Sequence, residues 1–193
     1  MDRISTTLFV ALLILLPIKA RAQPPEIALQ GVARTGSDSR PVRFHFACSS
    51  NSGPNLTGAL SVELEVPQVE QLRSIFNVDP FEGPDANTGA LSHLEATGAH
   101  GKAQANFTAA GSYSANPSTS FVLEVSAARR PPNNARLKLV AAVLRPLIDA
   151  PSKLVWRQGN PDKKGAALLA TLQIETADAD KLRASLGSCL AAK

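Results

Sequence analysis

Cysteine, histidine and aromatic residues are scarce in this chain of 193 residues, which has two Cys, three His, one Trp, one Tyr and seven Phe. Each scarcity argues against a class of function. A zinc site needs three or four converging ligands. The histidines His45, His93 and His100 fall in alternating or turn-like sequence, and no His-Glu-x-x-His is present. With only Tyr113 and Trp156 to accompany the phenylalanines, there is no base-stacking pattern for DNA or RNA. No glycine-rich phosphate loop occurs. The "GSYSA" at 111–115 has Tyr113 where the nucleophile of a Gly-x-Ser-x-Gly elbow would stand. The residues call for no cofactor and no metal, and no set of them is assigned a catalytic role.

Long apolar runs are also lacking, apart from Leu8–Ile18. That run follows Arg3 and precedes Ala20 and Ala22, the layout of a secretory signal peptide (residues 1–22) cut before Gln23. It is too short for a membrane helix, which needs about 20 apolar residues. No Cys follows the cut, so no lipid anchor is expected. The later stretch "LKLVAAVLRPLI" carries Lys138, Arg145 and Pro146. A secreted or periplasmic protein is therefore expected, not membrane-spanning after cleavage. Removing the leader takes away Arg3, Lys19 and Arg21 against Asp2. That leaves 17 basic and 15 acidic residues, a net +2, in 171 residues. So small an excess gives no case for a nucleic-acid partner, and the length suits one domain with a sizeable core.

In an exported protein, Cys48 and Cys189 are expected to pair. Cys48 ends the alternation Val42, Phe44, Phe46, so it shares their face. Cys189 joins Leu182, Leu186 and Leu190 at helical spacing. A bond between them would staple a C-terminal helix to an early strand.

The body of the chain reads as mainly β, with α+β as the variant. An antiparallel sandwich or bent sheet with two or three packed helices is expected. Residues 23–40 read as an extended N-terminal segment with a possible edge strand at 26–33, and 41–193 as one disulfide-linked, β-rich domain. Segments 59–66 and 120–127 alternate clearly. If residues whose numbers sum to 199 face one another across 89–96 and 102–109, Leu94 meets Ala105, Glu95 meets Gln104 and His93 meets Asn106. That single register sorts most apolar groups from most polar ones. A second hairpin joins 153–158 to 166–175. Its consecutive apolar residues, such as Leu168 and Leu169, suggest a region covered on both faces. Helix is expected within "ETADADKLRASLGSCLAA" (175–192), with Thr176 or Asp178 as N-cap, and also over 66–76 after Pro67. Residues 136–148 fit helix or strand.

Three sets of polar residues are candidates for function. In "NVDPFEGPDANTG" (77–89), Asp79, Glu82 and Asp85 stand three residues apart. The stretch is a candidate cation-binding or partner-binding loop. A calcium loop normally spaces ligands at alternate residues, and a stiff turn with solvated acids fits equally. Arg129 and Arg130, with Lys163 and Lys164, form a modest anion patch if their loops share one end of the sheet, and are otherwise solvated turn charges. Asn55 and Asn106 stand in Asn-x-Thr sequons. The function expected is that of an exported, non-catalytic binding or interaction protein of the cell envelope or extracellular space, whose partner is another envelope or secreted protein. Two alternatives stand beside it: a small secreted hydrolase using the acids of 77–89, and a calcium-dependent binding module.

Overall fold

The structure is a computed structural model, and it describes residues 26–49, 60–83, 89–114, 119–128, 134–162 and 165–191. Residues 1–22, read above as an expected leader, and Asn55, Asp85, Arg129, Arg130, Lys163 and Lys164 lie outside the described residues. Nine strands form one sheet: β1 (Glu26–Thr35), β2 (Asp38–Cys48), β3 (Leu60–Pro67), β4 (Ser92–Gly98), β5 (Gly101–Phe107), β6 (Ala110–Tyr113), β7 (Ser120–Ala127), β8 (Ser152–Gln158) and β9 (Leu168–Ile174). All neighbouring strands are antiparallel, in the order β5-β4-β8-β9-β1-β2-β3-β7-β6. Two α-helices, α1 (Ala135–Leu144) and α2 (Thr176–Leu190), complete the fold.

The topology requires a strong curl. The edge strands β5 and β6 are consecutive in the chain, linked only by Thr108 and Ala109. Three residue steps reach about 11 Å, whereas nine strands laid flat span roughly 38 Å at the usual strand spacing. The sheet therefore rolls until one end of β5 lies near the start of β6. Arg136, at the start of α1, closes the gap. Its guanidinium donates to Thr108 O at 3.1 Å and Ser126 O at 2.6 Å.

The strands follow their period-two patterns. Phe44, Phe46, Val62, Leu64, Leu123, Val125, Leu94, Trp156 and Leu172 point inward and are buried. The β4–β5 hairpin has the register expected from the sequence, with Ser92 opposite Phe107, Leu94 opposite Ala105 and Ala96 opposite Ala103. Helix α2 lies over β1 and β2, burying Ala179, Leu182, Leu186, Cys189 and Leu190. Its N-cap is Glu175, ahead of both expected candidates, Thr176 and Asp178. Cys189 is bonded to Cys48 with Cα atoms 6.0 Å apart. The staple thus fixes the last helix to the second strand.

Three expectations are corrected and one open alternative is decided. Glu26–Thr35 is not an edge strand, because β1 sits between β9 and β2. Its apolar pattern is weak for a steric reason. A Cβ at Gly31 would stand 2.7 Å from both the Phe44 ring and Thr171 O, so no side chain fits where β9 crosses. The segment 66–76 is not a helix. Pro67 still belongs to β3, Gln68 takes a left-handed φ of 53° with its N–H bonded to Thr119 O, and only Val69–Leu72 forms a 3-10 turn. The β8–β9 hairpin is covered on one face only, since Leu169 is 41% exposed and Val155 half-buried. Residues 136–148 are helical. Val140, Ala141, Val143 and Leu144 are buried, and the helix tightens to a 3-10 turn (Arg145–Ile148) at Pro146, which has no N–H to continue the ladder.

Candidate functional site: the outer wall of the sheet

The described part of the loop 77–89, residues 77–83, is held from within. Phe76 and Phe81 stack, with ring centroids 6.1 Å apart, and both are buried along with Val78. Gly83 N donates to Gly111 O at 3.0 Å, and Glu82 bridges Gly111 in parallel, so the loop's backbone caps the β6 edge. Asp79 accepts from the Tyr113 hydroxyl at 2.6 Å and from Arg73 at 3.1 Å, and Arg73 in turn pairs with Glu70 at 2.7 Å. Burial first, then the bond to Asp79, pushes the Tyr113 hydroxyl up to about 12. Asp79 is thus occupied by a cation and a phenol, while the Glu82 side chain is exposed. Among the described residues no group of three His, Cys, Asp or Glu could hold a metal ion.

Residues that the sequence did not single out are brought together on the outer wall. Outward positions follow from the registers. On β2, β3 and β7 they are Arg43, His45, Glu63, Glu65 and Glu124, joined by Glu26 at the start of β1. Glu63 stands directly opposite both His45 and Glu124. His45 places Nδ1 2.6 Å from Glu26 and Nε2 3.1 Å from Glu65, and Arg43 reaches Glu65 at 3.0 Å. Four carboxylates thus share a small area with one arginine and one histidine. Burial raises the proton affinity of Glu63, and the charges of Glu124 and Glu26 raise it further against the opposing effect of His45.

Further round the wall the sign reverses. Outward residues there are Lys102 on β5, Glu95 on β4, Lys153, Val155 and Arg157 on β8, Leu169 and Thr171 on β9, and Val32 and Arg34 on β1. Of the one acid and four cations, Glu95 is paired to Lys102 at 2.7 Å. Lys153, Arg157 and Arg34 are exposed. Between the acidic and basic fields lie Val32, 47% exposed, and its neighbour Pro41 on β2, while exposed Leu169 stands within the basic field, opposite both Arg157 and Arg34. His93 lies beside the basic field, with Nδ1 2.7 Å from its register partner Asn106.

The chemistry available is recognition through charge and apolar contact. The alternating residues of each strand were visible one strand at a time. Their convergence was not, because Glu63 and Glu124, or Arg157 and Arg34, belong to strands distant in sequence. No protein family, curated protein or solved structure matches this chain.

Proposed function

We propose that this chain is a non-catalytic binding protein of an oxidising compartment outside the cytoplasm, and that it binds through the outer wall of its sheet. The observation that carries the reading is the wall itself: on one hydrogen-bonded sheet, exposed Val32 and Pro41 stand between an acidic field and a basic field that itself contains exposed Leu169. The Cys48–Cys189 bond supports the compartment and holds the scaffold rigid, which lowers the ordering cost of association. The partner is an envelope or secreted protein that sets apolar groups on Val32 and Leu169 and opposite charges on the two fields. Apolar contact supplies affinity, and the fields set orientation and encounter rate.

The test is capture of envelope or secreted proteins by the oxidised chain beside a Val32→Asp/Leu169→Asp variant. Both positions are solvent-facing, so the variant should melt within a few degrees of the parent, and it should lose partner capture. Equal capture by parent and variant overturns the reading.

A further inference from the structure

We infer that the close contact is made on the basic field, by the row Arg157–Leu169–Arg34, and that it takes an acidic protein segment presenting one apolar side chain between two carboxylates. The inference rests on the reading of the wall as a binding surface, and it names the part of the wall that binds and the chemistry of the partner.

Strand registers place these residues side by side. Arg157 on β8 stands opposite Leu169 on β9, and Leu169 stands opposite Arg34 on β1. The row continues to His93 on β4 and to Ser39 on β2, so no carboxylate stands in it. Leu169 is 41% exposed, and both arginines are exposed. The next outward row is Glu95, Val155, Thr171, Val32 and Pro41, and its one acid, Glu95, is paired to Lys102. Beyond that row stands Lys153, opposite Thr97 and Gln173. Arg34, Arg157 and Lys153 make no ion pair or side-chain hydrogen bond among the described residues. A largely apolar strip is thus edged on both sides by cations whose donors are unshared.

Spacing and chemistry define what fits. Neighbouring strands lie about 4.8 Å apart, so the two arginine positions are roughly 10 Å apart with Leu169 midway. An α-helix returns to one face at i, i+3 or i+4, and i+7, and seven residues rise about 10.5 Å. A helix laid across β8, β9 and β1, with acids at i and i+7 and Leu between them, therefore sets a carboxylate on each arginine and an apolar group on Leu169. The guanidinium fork takes a carboxylate through two parallel N–H···O bonds. Exposed ion pairs alone add little affinity, and covering Leu169 and Val32 supplies the apolar share. Anionic lipid is the weaker fit. Val32 and Leu169 lie half-covered in the wall, without the protruding apolar side chains that enter a bilayer interface, and lipid charge has no fixed spacing to match the row.

The experiment is titration of the oxidised full chain against a labelled helical peptide carrying Glu, Leu and Glu at i, i+4 and i+7, read by fluorescence anisotropy. Saturable binding is expected, with a dissociation constant that rises about tenfold or more between 50 mM and 500 mM salt, because the paired charges are screened. Replacing both Glu of the peptide by Gln, or its Leu by Ala, should weaken binding about tenfold. The variant Arg34→Glu/Arg157→Glu should lose this peptide and bind one with Lys in place of each Glu. Circular dichroism and an intact disulfide check that the variant folds. If it does not, Arg34→Gln/Arg157→Gln replaces it, with the same loss expected. A parent chain that fails to bind the peptide at low salt, or binds the Gln peptide equally well, overturns the inference. So does binding to phosphatidylglycerol vesicles in preference to the peptide, which assigns the field to a lipid surface. Capture of envelope or secreted proteins separates this inference from the reading beneath it. If Val32→Asp/Leu169→Asp abolishes capture while Arg34→Glu/Arg157→Glu leaves it unchanged, only the acidic segment is lost and the binding wall stands. If neither variant changes capture, both readings fall.

Discussion

The two halves of the sheet are made of similar alternating strands and are held by different means. The half built of β4, β5, β8 and β9 consists of two hairpins, β4–β5 and β8–β9, laid side by side. Its interior carries a buried polar knot: Ser92 Oγ donates to Gln158 Oε1 at 2.6 Å, and Trp156 Nε1 donates to the same oxygen at 3.1 Å. The half built of β1, β2, β3, β7 and β6 likewise joins local pairs, β1–β2–β3 and β6–β7, through one long-range pairing, β3 with β7, as β4 pairs with β8 in the first half. Its interior is rich in phenylalanine, and α2 is bonded to it through sulfur. Outside, the first half is basic and the second acidic. Local strand pairing costs little loop entropy. Both halves have such pairs and one long-range pairing each, and they differ in that only one carries a covalent bond.

Four experiments break or sharpen this contrast. The largest effect is expected from Cys48→Ser/Cys189→Ser. The staple spans a sequence separation of 141, for which chain entropy assigns roughly 4–5 kcal/mol. Urea unfolding should register that loss, and hydrogen exchange should rise first in α2, β1 and β2 while β4 and β8 stay protected. Uniform loosening of both halves would end the distinction. Next is Trp156→Ala, fully buried in the hairpin half, with an expected cost of about 3–5 kcal/mol. Here β4 and β8 should lose protection before α2 does.

Gly31→Ala strikes the seam between the halves. The new Cβ would stand 2.7 Å from the Phe44 ring and from Thr171 O, so about 1–3 kcal/mol is expected from overpacking. Exchange should rise at Val32–Arg34, where β1 meets β9. A variant as stable as the parent would mean that the seam yields freely. The smallest effect belongs to Glu63→Gln. Glu63 has its carboxyl pushed above the ordinary value of 4.5 by burial and by neighbouring carboxylates. Its proton is held more tightly in the folded state, so its contribution is full below pH 4.5 and is lost as pH rises through the raised folded value. The glutamine variant should therefore be more stable than the parent at neutral pH, by roughly 0.2–1 kcal/mol on the scale of cross-strand like-charge pairs. The gain should vanish below pH 4.5. A gain that persists there would assign the effect to packing.

Much of the local structure was legible in the sequence. The β4–β5 register, the strands at 60–67 and 120–127, the terminal helix and the facing of both cysteines all follow from periodicity. Errors fell where one pattern served two structures. Val69, Leu72 and Phe76 have helical spacing, but a 3-10 turn followed by an irregular plug buries the same residues. Consecutive Leu168 and Leu169 suggested two covered faces, yet Leu169 is exposed. In the acidic loop Asp79 was singled out as a ligand, and its distant partners Arg73 and Tyr113 were not foreseen.

By itself the sequence determined which side of each strand faces inward and that the chain ends in a helix bonded to β2. Period two and period 3.6 are local properties that side-chain chemistry imposes directly. Only the tertiary structure decided which strands are neighbours, how far the sheet rolls, and that the acids of β3 and β7 gather opposite the cations of β8 and β1. Backbone hydrogen bonding is the same at every strand edge. The choice of neighbour is therefore made by packing of the whole core, and surface residues are carried to wherever that packing takes them.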